Sequence, residues 1–565
     1  MSLPAGTLPQ VLFDRYQTSP EQTAVVLRLN KGESTLTVRQ LVDGALGYAA
    51  RLRQAGVVPG EVVIALLPPG AELLHAFLGA MFLGAVPSIL PFLTEKLDPQ
   101  RYRESLDSLI SVTRPAALIA EPNLADMLRT QLAHAGEVKA MLAGGAPGLQ
   151  LQPVDTASLE GLRASPDSLA LLQHSSGTTG LQKGVALSHR AILRQLAAYT
   201  PALGLTPSDI IVSWLPLYHD MGLIAGFLMP VLTGAKLVLL SPFEWARAPW
   251  TLLRAVSEHG GTLAWLPNFA YNFCATRIPD RELNGLDLSS WRAVINCSEP
   301  MVAESHRLFA SRLRPFGLRE TALATCYAMA ENVFAVTQGG IDRPVRLDRV
   351  DRELLVKEGR AVPAGGADRR TTEVVSAGEP LANCEVRVLS PDGSPLPNRQ
   401  IGELALRSDC MLTGYFNRPD ATASALRDGW YLTGDLGYLA EGEVFITGRK
   451  KDLMIVGGKN IYPQDIEYLI NQVPGVHPGR VVVFGLFNES MGTEEPAAVV
   501  EVDPAARVEA NRLGLAIREA VATGSEVTLG PLKLVDERWL VKTSSGKIAR
   551  GANREKLLSE LGREA

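Results

Sequence analysis

At 565 residues the chain is too long for one small domain, and about two to four folded units are expected. Its 46% hydrophobic and 20% charged content is that of a globular protein able to bury large cores. Lys and Arg total 55 against 60 for Asp and Glu, a formal charge of -5 without the basic excess of a dedicated nucleic-acid binder, so no nucleic-acid partner is expected.

The N-terminal MSLPAGTLPQVLFDRY has no charged segment followed by an apolar one, so it does not read as a secretory signal. From Asp14 to Leu240 short apolar runs alternate with longer helical segments. The pattern predicts strands at Thr23–Arg28, Glu61–Leu67, Ala116–Ala120, Leu169–Gln173, Ile210–Trp214 and Lys236–Leu239, and helices at Thr37–Gln54, Ala71–Leu83 and Pro249–Glu258. Such alternation implies parallel sheets covered by helices. Leu73–Leu93 is long enough to span a membrane, but His75, Gly79, Gly84, Pro87 and Pro91 interrupt it, and it reads as a buried helix followed by a short strand. A cytoplasmic protein without a membrane span is expected.

Gln338–Glu373 differs in composition. Arg343, Arg346, Arg349, Arg352, Arg360, Arg369 and Arg370 alternate with acids, and few large apolar groups occur besides Leu354 and Leu355. Such a segment reads as a surface excursion unable to build its own core. Strand-like alternation resumes at Val374–Val388, with further strands at Gly402–Arg407 and Glu443–Thr447. After GRKKD at Gly448–Asp452 the pattern becomes a compact unit with a helix at Pro463–Val473 and strands at Val481–Phe484 and Ala497–Val502, so a domain boundary is placed between Gly448 and Asp452. Cys274, Cys297, Cys326, Cys384 and Cys410 are widely spaced, with no Cys-x-x-Cys pair, and read as buried core residues rather than a disulfide framework or zinc site.

The run His174–Gly184, HSSGTTGLQKG, has the composition of a backbone cradle for phosphate. Gly177, Gly180 and Gly184 let the chain bend close to a ligand; Ser175, Ser176, Thr178 and Thr179 supply hydroxyls, and Lys183 one positive charge. Ser168–Leu172 before it reads as a strand, and Ala186–Ala198 after it as the opening of a helix with Ser188 as N-cap. It is not the nucleoside-triphosphatase P-loop, because Lys183 precedes Gly184 instead of following a glycine and preceding Ser or Thr. Nor is it a hydrolase elbow, since neither Ser175 nor Ser176 sits in a Gly-x-Ser-x-Gly frame.

Six further segments follow in order: WLPLYHDMG (Trp214–Gly222), NCSEP (Asn296–Pro300), YAMAEN (Tyr327–Asn332), YLTGD (Tyr431–Asp435), GRKKD (Gly448–Asp452) and KTSSGK (Lys542–Lys547). Together they closely resemble the adenylate-forming superfamily of acyl-CoA synthetases, nonribosomal adenylation domains and luciferases. Within it, LYHDMGLI (Leu217–Ile224), PNFAYNFC (Pro267–Cys274), the Arg-rich excursion and YPQDIE (Tyr462–Glu467) resemble fatty acyl-AMP ligases, which activate a carboxylic acid with ATP and pass it to an acyl carrier protein. Gly457-Gly458-Lys459-Asn460 instead resembles the Gly-Gly-x-Asn of acyl-CoA ligases.

The resemblance implies an α/β fold in three parts. Residues 1–448 would form a large N-terminal domain of parallel and mixed sheets layered with helices, plus a β-barrel-like subdomain. Residues 449–452 would be a hinge, with Lys451 its pivot, and residues 453–565 a small mobile C-terminal α+β domain. ATP is the implied nucleotide substrate and Mg²⁺ the cofactor. The resemblance gives Ser175, Ser176, Gly177, Thr178, Thr179, Gly180 and Lys183 to the phosphates, and Glu331 with Thr179 to the metal. Tyr327 would stack on adenine, with Ala328, Met329 and Ser298, Glu299 and Pro300 around the base; Asp435 would hold the ribose and Arg449 add a second nucleoside contact. Lys547 would meet the charge growing on the α-phosphate and the attacking carboxylate, and His219 would gate the acyl and thiol tunnels. Trp214, Leu215, Asp220, Phe269, Phe273 and Met329 would line a pocket for a hydrophobic acid. The expected acceptor is a carrier-protein thiol; the alternatives are coenzyme A as acceptor and a non-catalytic adenylate-binding protein.

Overall fold

The computed structural model describes residues 6–29, 32–94, 99–144, 158–174, 183–365, 371–456, 459–488, 493–503, 509–525, 527–543 and 546–561. A seven-stranded sheet runs in the order Leu323–Cys326, Ala293–Cys297, Leu263–Leu266, Ile210–Ser213, Lys236–Leu240, Thr23–Leu29, Gly32–Thr37. Every pairing is parallel except the last, which is antiparallel. A second, all-parallel sheet joins Val86–Ile89, Val62–Leu66, Ala117–Ala120 and Ala140–Ala143. Helices Val38–Gln54 and Ala71–Leu83 belong to the large core that also holds the strand residues Val25, Leu27, Val63 and Ala65. Thr37 begins the first helix with a capping box shared with Gln40, and Gly84, in the left-handed conformation, ends the second just before the strand at Val86. Leu73–Leu93 is therefore the buried helix and strand expected, and among the described residues no helix is long and apolar enough to cross a membrane. All five cysteines are buried and free.

The expected barrel-like unit is a curled half-barrel, an antiparallel sheet of eight strands whose path runs from Thr337–Gln338 through Thr371–Pro380, Glu443–Arg449, Trp430–Ala440 and Gly402–Ser408 to Cys384–Leu389. One sequence expectation is corrected. Ala186–Ser188 is not helical: Gly184–Ser188 is a strand antiparallel to Leu169–His174, and the helix starts at His189, capped by Ser188 as expected. The polar excursion builds no core of its own, as expected. Val350, Leu355 and Ala361 pack with Tyr438, Ala440 and Phe445, so the segment borrows apolar surface from the half-barrel. Its strand Leu347–Asp351 pairs with Thr371–Pro380, and Asp348 accepts from Arg399 and from the Tyr438 hydroxyl.

The last hundred or so residues have apolar clusters of their own. Strands Val476–Asn488, Thr493–Val502 and Leu532–Val535 carry Val483 and Val500 toward helices Pro463–Asn471 and Ala510–Gly524. Phe484 and Val499 face the other way, toward Leu557 and Leu558 of helix Arg550–Glu560. The alternation of a strand with both faces covered is the physical reason this unit forms a layered α+β structure.

His174, His189 and His306 are buried, and desolvation lowers each from its ordinary 6.5 to about 4. Unfolded, each takes a proton near pH 6.5; folded, it does not, so the unfolded state binds more protons in between. Stability is therefore fully present above about pH 6.5 and is lost progressively as pH falls through about 4. Thermal midpoints recorded from pH 7.5 to 4 are expected to fall over this window, and a flat profile would show that these rings are hydrated.

Candidate active site

Four neighbouring strands of the large sheet are parallel, so their carboxyl ends open on the same side, the usual place for a ligand in such sheets. After Ser213 comes Trp214–Asp220; after Leu266, Pro267–Phe273; after Cys297, Ser298–Pro300; after Cys326, Tyr327–Met329. Motifs over a hundred residues apart in sequence meet here because of strand order alone.

A small cavity at these ends is lined by Trp214, Leu215, His219, Asp220, Pro267, Ser298 and Lys547. Lys547 comes from the far end of the chain, and its ammonium donates to the Ser298 carbonyl at 2.6 Å. Ser298 has a φ of 69°, uncommon for a residue with a side chain. Burial first, then the Lys547 charge, lowers His219 to about 3, so its imidazole is neutral, and its buried Nε2 has no hydrogen-bond partner among the described residues. Burial raises the Asp220 carboxyl, an effect opposed by Lys547; the carboxylate accepts the Met221 amide at 2.8 Å and starts the π-helix Met221–Leu228. Glu299 is likewise raised by burial and opposed by Lys547, and it accepts the Phe269 amide at 2.9 Å.

Of the expected pocket residues, Trp214, Leu215 and Asp220 line this cavity, whereas Phe269, Phe273 and Met329 do not; Trp214 is backed by further aromatic rings. Trp214 stacks on Trp245 with centroids 3.6 Å apart, and Phe269 and Phe273 pack against Trp245 at 6.0 and 5.6 Å. The sequence reading missed Trp245, which lies in no motif and reaches the wall from the short helix Pro242–Arg247. Gly222 allows the π-helix to lie against the preceding turn, because a Cβ there would run into the Pro216 carbonyl.

On the other side, Tyr327 donates from its hydroxyl to Asp435 at 2.6 Å, and Arg449 Nε donates to the other Asp435 oxygen at 3.1 Å. Asp435 and Arg449 face each other across one hairpin. Its turn is Glu441–Gly442, both residues at positive φ, as a two-residue hairpin favours. A one-residue register shift beyond Ile446 sets Arg449, rather than Gly448, opposite Asp435. Ala328 and Met329 are half-buried, and Pro300 is exposed.

Glu331 accepts from the Tyr415 hydroxyl at 2.8 Å; Tyr415 in turn meets the Tyr431 hydroxyl at 3.0 Å, and the Lys183 ammonium lies 4.7 Å above the Tyr415 ring. Tyr415 thus joins Lys183 to Glu331, a link that no sequence spacing announced. Just after Glu331, Phe334 N–H donates to the Asn332 carbonyl at 2.6 Å around Val333, whose φ of 63° and ψ of -55° make a γ-turn. That turn costs on the order of 1–3 kcal/mol and is offset by complete burial of Val333 and Phe334. Lys451, in the turn Lys450–Asp452, is pushed below its ordinary value by burial and by Arg449, with Lys183 adding to the effect. Ser175, Ser176, Gly177, Thr178, Thr179 and Gly180 lie outside the described residues, as do Gly457 and Gly458 and the side chains of Lys459 and Asn460.

A family model described as AMP-binding enzyme matches residues 12–416. The chain belongs to the AMP-binding enzyme family. It is similar to a putative acyl-CoA synthetase of Caulobacter vibrioides, 31% identical over 94% of this chain and 92% of that one. It is also similar to the medium-chain-fatty-acid–acyl-carrier-protein ligase JamA of Moorena producens, 30% identical over 96% of this chain and 93% of that one. Among solved structures, it resembles one from work on the fatty acyl-adenylate ligases of E. coli and L. pneumophila, with a TM-score of 0.88 and 27% identity, covering 100% of this chain and 99% of that one. The half-barrel and C-terminal unit of this AMP-binding enzyme are therefore those of the adenylate-forming fold.

Gly222→Ala is expected to destabilise the enzyme by about 1–3 kcal/mol through overpacking against the Pro216 carbonyl. A urea titration checks this, and an unchanged midpoint would show that the turn bearing His219 and Asp220 relaxes freely.

Proposed function

We propose that this enzyme condenses a hydrophobic carboxylic acid with ATP to give acyl-AMP and pyrophosphate, and then transfers the acyl group to the phosphopantetheine thiol of a carrier protein. The observation that carries this reading is the meeting of Lys547, from the C-terminal unit, with the cavity walled by Trp214, His219 and Asp220. An aromatic wall of this kind suits an acyl chain, and an ammonium at its mouth suits the carboxylate.

In this reading Asp435 accepts the ribose hydroxyls, Tyr327 meets the adenine and Arg449 steadies Asp435. The carboxylate oxygen attacks the α-phosphorus, the bond to the bridging oxygen breaks, and pyrophosphate leaves with that electron pair. Both reactants are anions, so catalysis rests on positioning and charge neutralisation. Lys547 supplies the mobile cation, while Lys183, Arg449 and Lys451 form a positive rim for the triphosphate.

Glu331 fits Mg²⁺, with one carboxylate oxygen held by Tyr415; a magnesium ion takes one or two carboxylates and otherwise binds water and substrate phosphates. No group of three or more His, Cys, Asp or Glu suited to a metal occurs among the described residues, in keeping with a metal that arrives on the nucleotide. Thr179 is the second proposed contact. When bound, the ion would neutralise phosphate charge.

For the second half-reaction we place the domain boundary at residues 449–452, with the unit from residue 453 turning about Lys451 and His219 acting as a gate. The thiol then adds to the acyl carbonyl, AMP leaves, and the thiol proton passes to solvent. Coenzyme A is the alternative acceptor, favoured by the relative in Caulobacter vibrioides. The excursion bears on this choice, because Arg352 donates to the Gly524 carbonyl of the C-terminal unit at 2.5 Å. Such a tie opposes rotation. The cytoplasm is the proposed compartment.

Lys547→Ala is expected to lower acyl-AMP formation by a factor on the order of 10² with the fold intact, measured by mass spectrometry of products from ATP and an acid panel. Near-normal yield would remove Lys547 from the reaction. Lys451→Pro is expected to leave adenylation but depress thioester formation, since proline fixes φ at the pivot; equal loss of both steps would move the hinge elsewhere. Arg352→Ala, which unlike excision of the loop leaves Val350 and Leu355 in place, is expected to raise acyl-CoA formation. Efficient acyl-CoA synthesis by the unaltered enzyme would establish coenzyme A as acceptor.

A further inference from the structure

The helix Asn268–Arg277 touches the C-terminal unit at one end and faces its charges at the other, and in between Phe269 packs against Trp214 of the cavity wall. At its start, Pro267 lines the cavity and the Phe269 amide donates to Glu299, which lies in the field of Lys547 and Lys542. Phe269 itself and, one turn on, Phe273 pack on Trp245. At its last residue, one guanidinium nitrogen of Arg277 packs on the ring of His477, against Nε2 and 3.4 Å from Nδ1, in the strand Val476–Asn488 of the C-terminal unit. His477 is 8% exposed, its Nδ1 lies 3.4 Å from the Pro478 carbonyl, and its Nε2 lies 3.8 Å from Glu537.

We propose that Arg277 is a positioning residue that seats the C-terminal unit so that Lys547 reaches the Ser298 carbonyl, linking the shape of the acyl cavity to the pose in which the adenylate forms. The proposal rests on the acyl-AMP reaction put forward above. Arg277 does not touch the reacting atoms; it acts through the rigid C-terminal unit, whose strand holds His477 and whose later turn holds Lys547. A helix is stiff along its axis, so a shift of Phe269 and Phe273 by an acyl chain moves Arg277 relative to His477. The contact is a polar one between two surfaces that would separate if the C-terminal unit turned, and it is present together with the Lys547 contact.

The test uses the full chain with Arg277→Ala, His477→Ala, the double variant and Arg277→Lys. Single-turnover acyl-AMP formation at saturating ATP is read beside the KM for ATP and beside trypsin cleavage at Lys450 and Lys451 in the absence of substrates. Arg277→Ala is expected to slow acyl-AMP formation about five- to tenfold and to speed hinge cleavage, with the KM for ATP changed less than about twofold. His477→Ala should match it, the double variant should be no worse than either, and Arg277→Lys should recover at least half of the rate. Unaltered adenylation and hinge cleavage in Arg277→Ala, or additive losses in the double variant, would overturn the proposal. A rise in the KM for ATP with unaltered cleavage would also overturn it, by assigning Arg277 to the nucleotide site. If the unaltered enzyme adenylates no acid, the reaction reading fails, while hinge cleavage still decides the role of Arg277.

Discussion

The hydrogen bond from Lys547 to the Ser298 carbonyl is the constraint on which the site depends, because it joins two separately cored parts of the chain. An ammonium brought among His219, Asp220 and Glu299 alters all three: it opposes the burial that raises the two carboxyls and adds to the burial that lowers the imidazole. The cavity therefore holds an ammonium, a neutral ring and the Asp220 carboxyl, with Glu299 close enough to feel the same charge. Remove the ammonium and the same cavity presents buried acids to an incoming carboxylate, which would repel it. The proposed reaction between two anions is conceivable here only with the C-terminal unit closed.

The nucleotide side is built differently. It needs no long-range closure, because a single hairpin with a two-residue turn and one register shift sets Asp435 against Arg449, and the neighbouring strand end brings Tyr327 to the same carboxylate. Glu331 is held more tightly still, by a strained γ-turn on one side and by Tyr415 on the other. A carboxylate fixed in this way loses little entropy when it meets a cation, which suits a metal delivered with its ligand. The two sides thus divide the proposed chemistry: one would hold the nucleotide, and the other would bring the charge that the reaction needs.

Among the described residues, Arg352 on the Gly524 carbonyl and Arg277 on His477 are polar contacts to the C-terminal unit away from the cavity. They approach the C-terminal unit from the charged excursion and from the acyl-cavity helix respectively. Each is polar and partly exposed, so it is strong enough to bias a pose and weak enough to be given up. An apolar interface of the same area would hold the unit shut. Choice of acceptor and response to the acyl chain can then be tuned by residues that never touch the reacting atoms.

The sequence determined most of the local structure of this protein. Periodicity placed the strands at Thr23–Arg28 and Lys236–Leu239 and the helices at Thr37–Gln54 and Ala71–Leu83 within a residue or two, since caps and burial there agree with local propensity. Motifs marked Tyr327, Glu331, Asp435, Arg449 and Lys547, because charged and aromatic residues among glycines stand out along a chain. Only the tertiary structure decided that Ala186–Ser188 is a strand: its apolar residues fit either element, and pairing with Leu169–His174 chose between them. Only the fold could reveal Trp245, Tyr415 and Arg277, which lie outside any motif and gain their neighbours through tertiary packing. The polar excursion found a core for the same reason: Val350, Leu355 and Ala361 are too few to bury one another, and they suffice once Tyr438 and Phe445 supply the opposite wall. Local pattern is written in neighbours along the chain, whereas a shared surface exists only after distant segments have met.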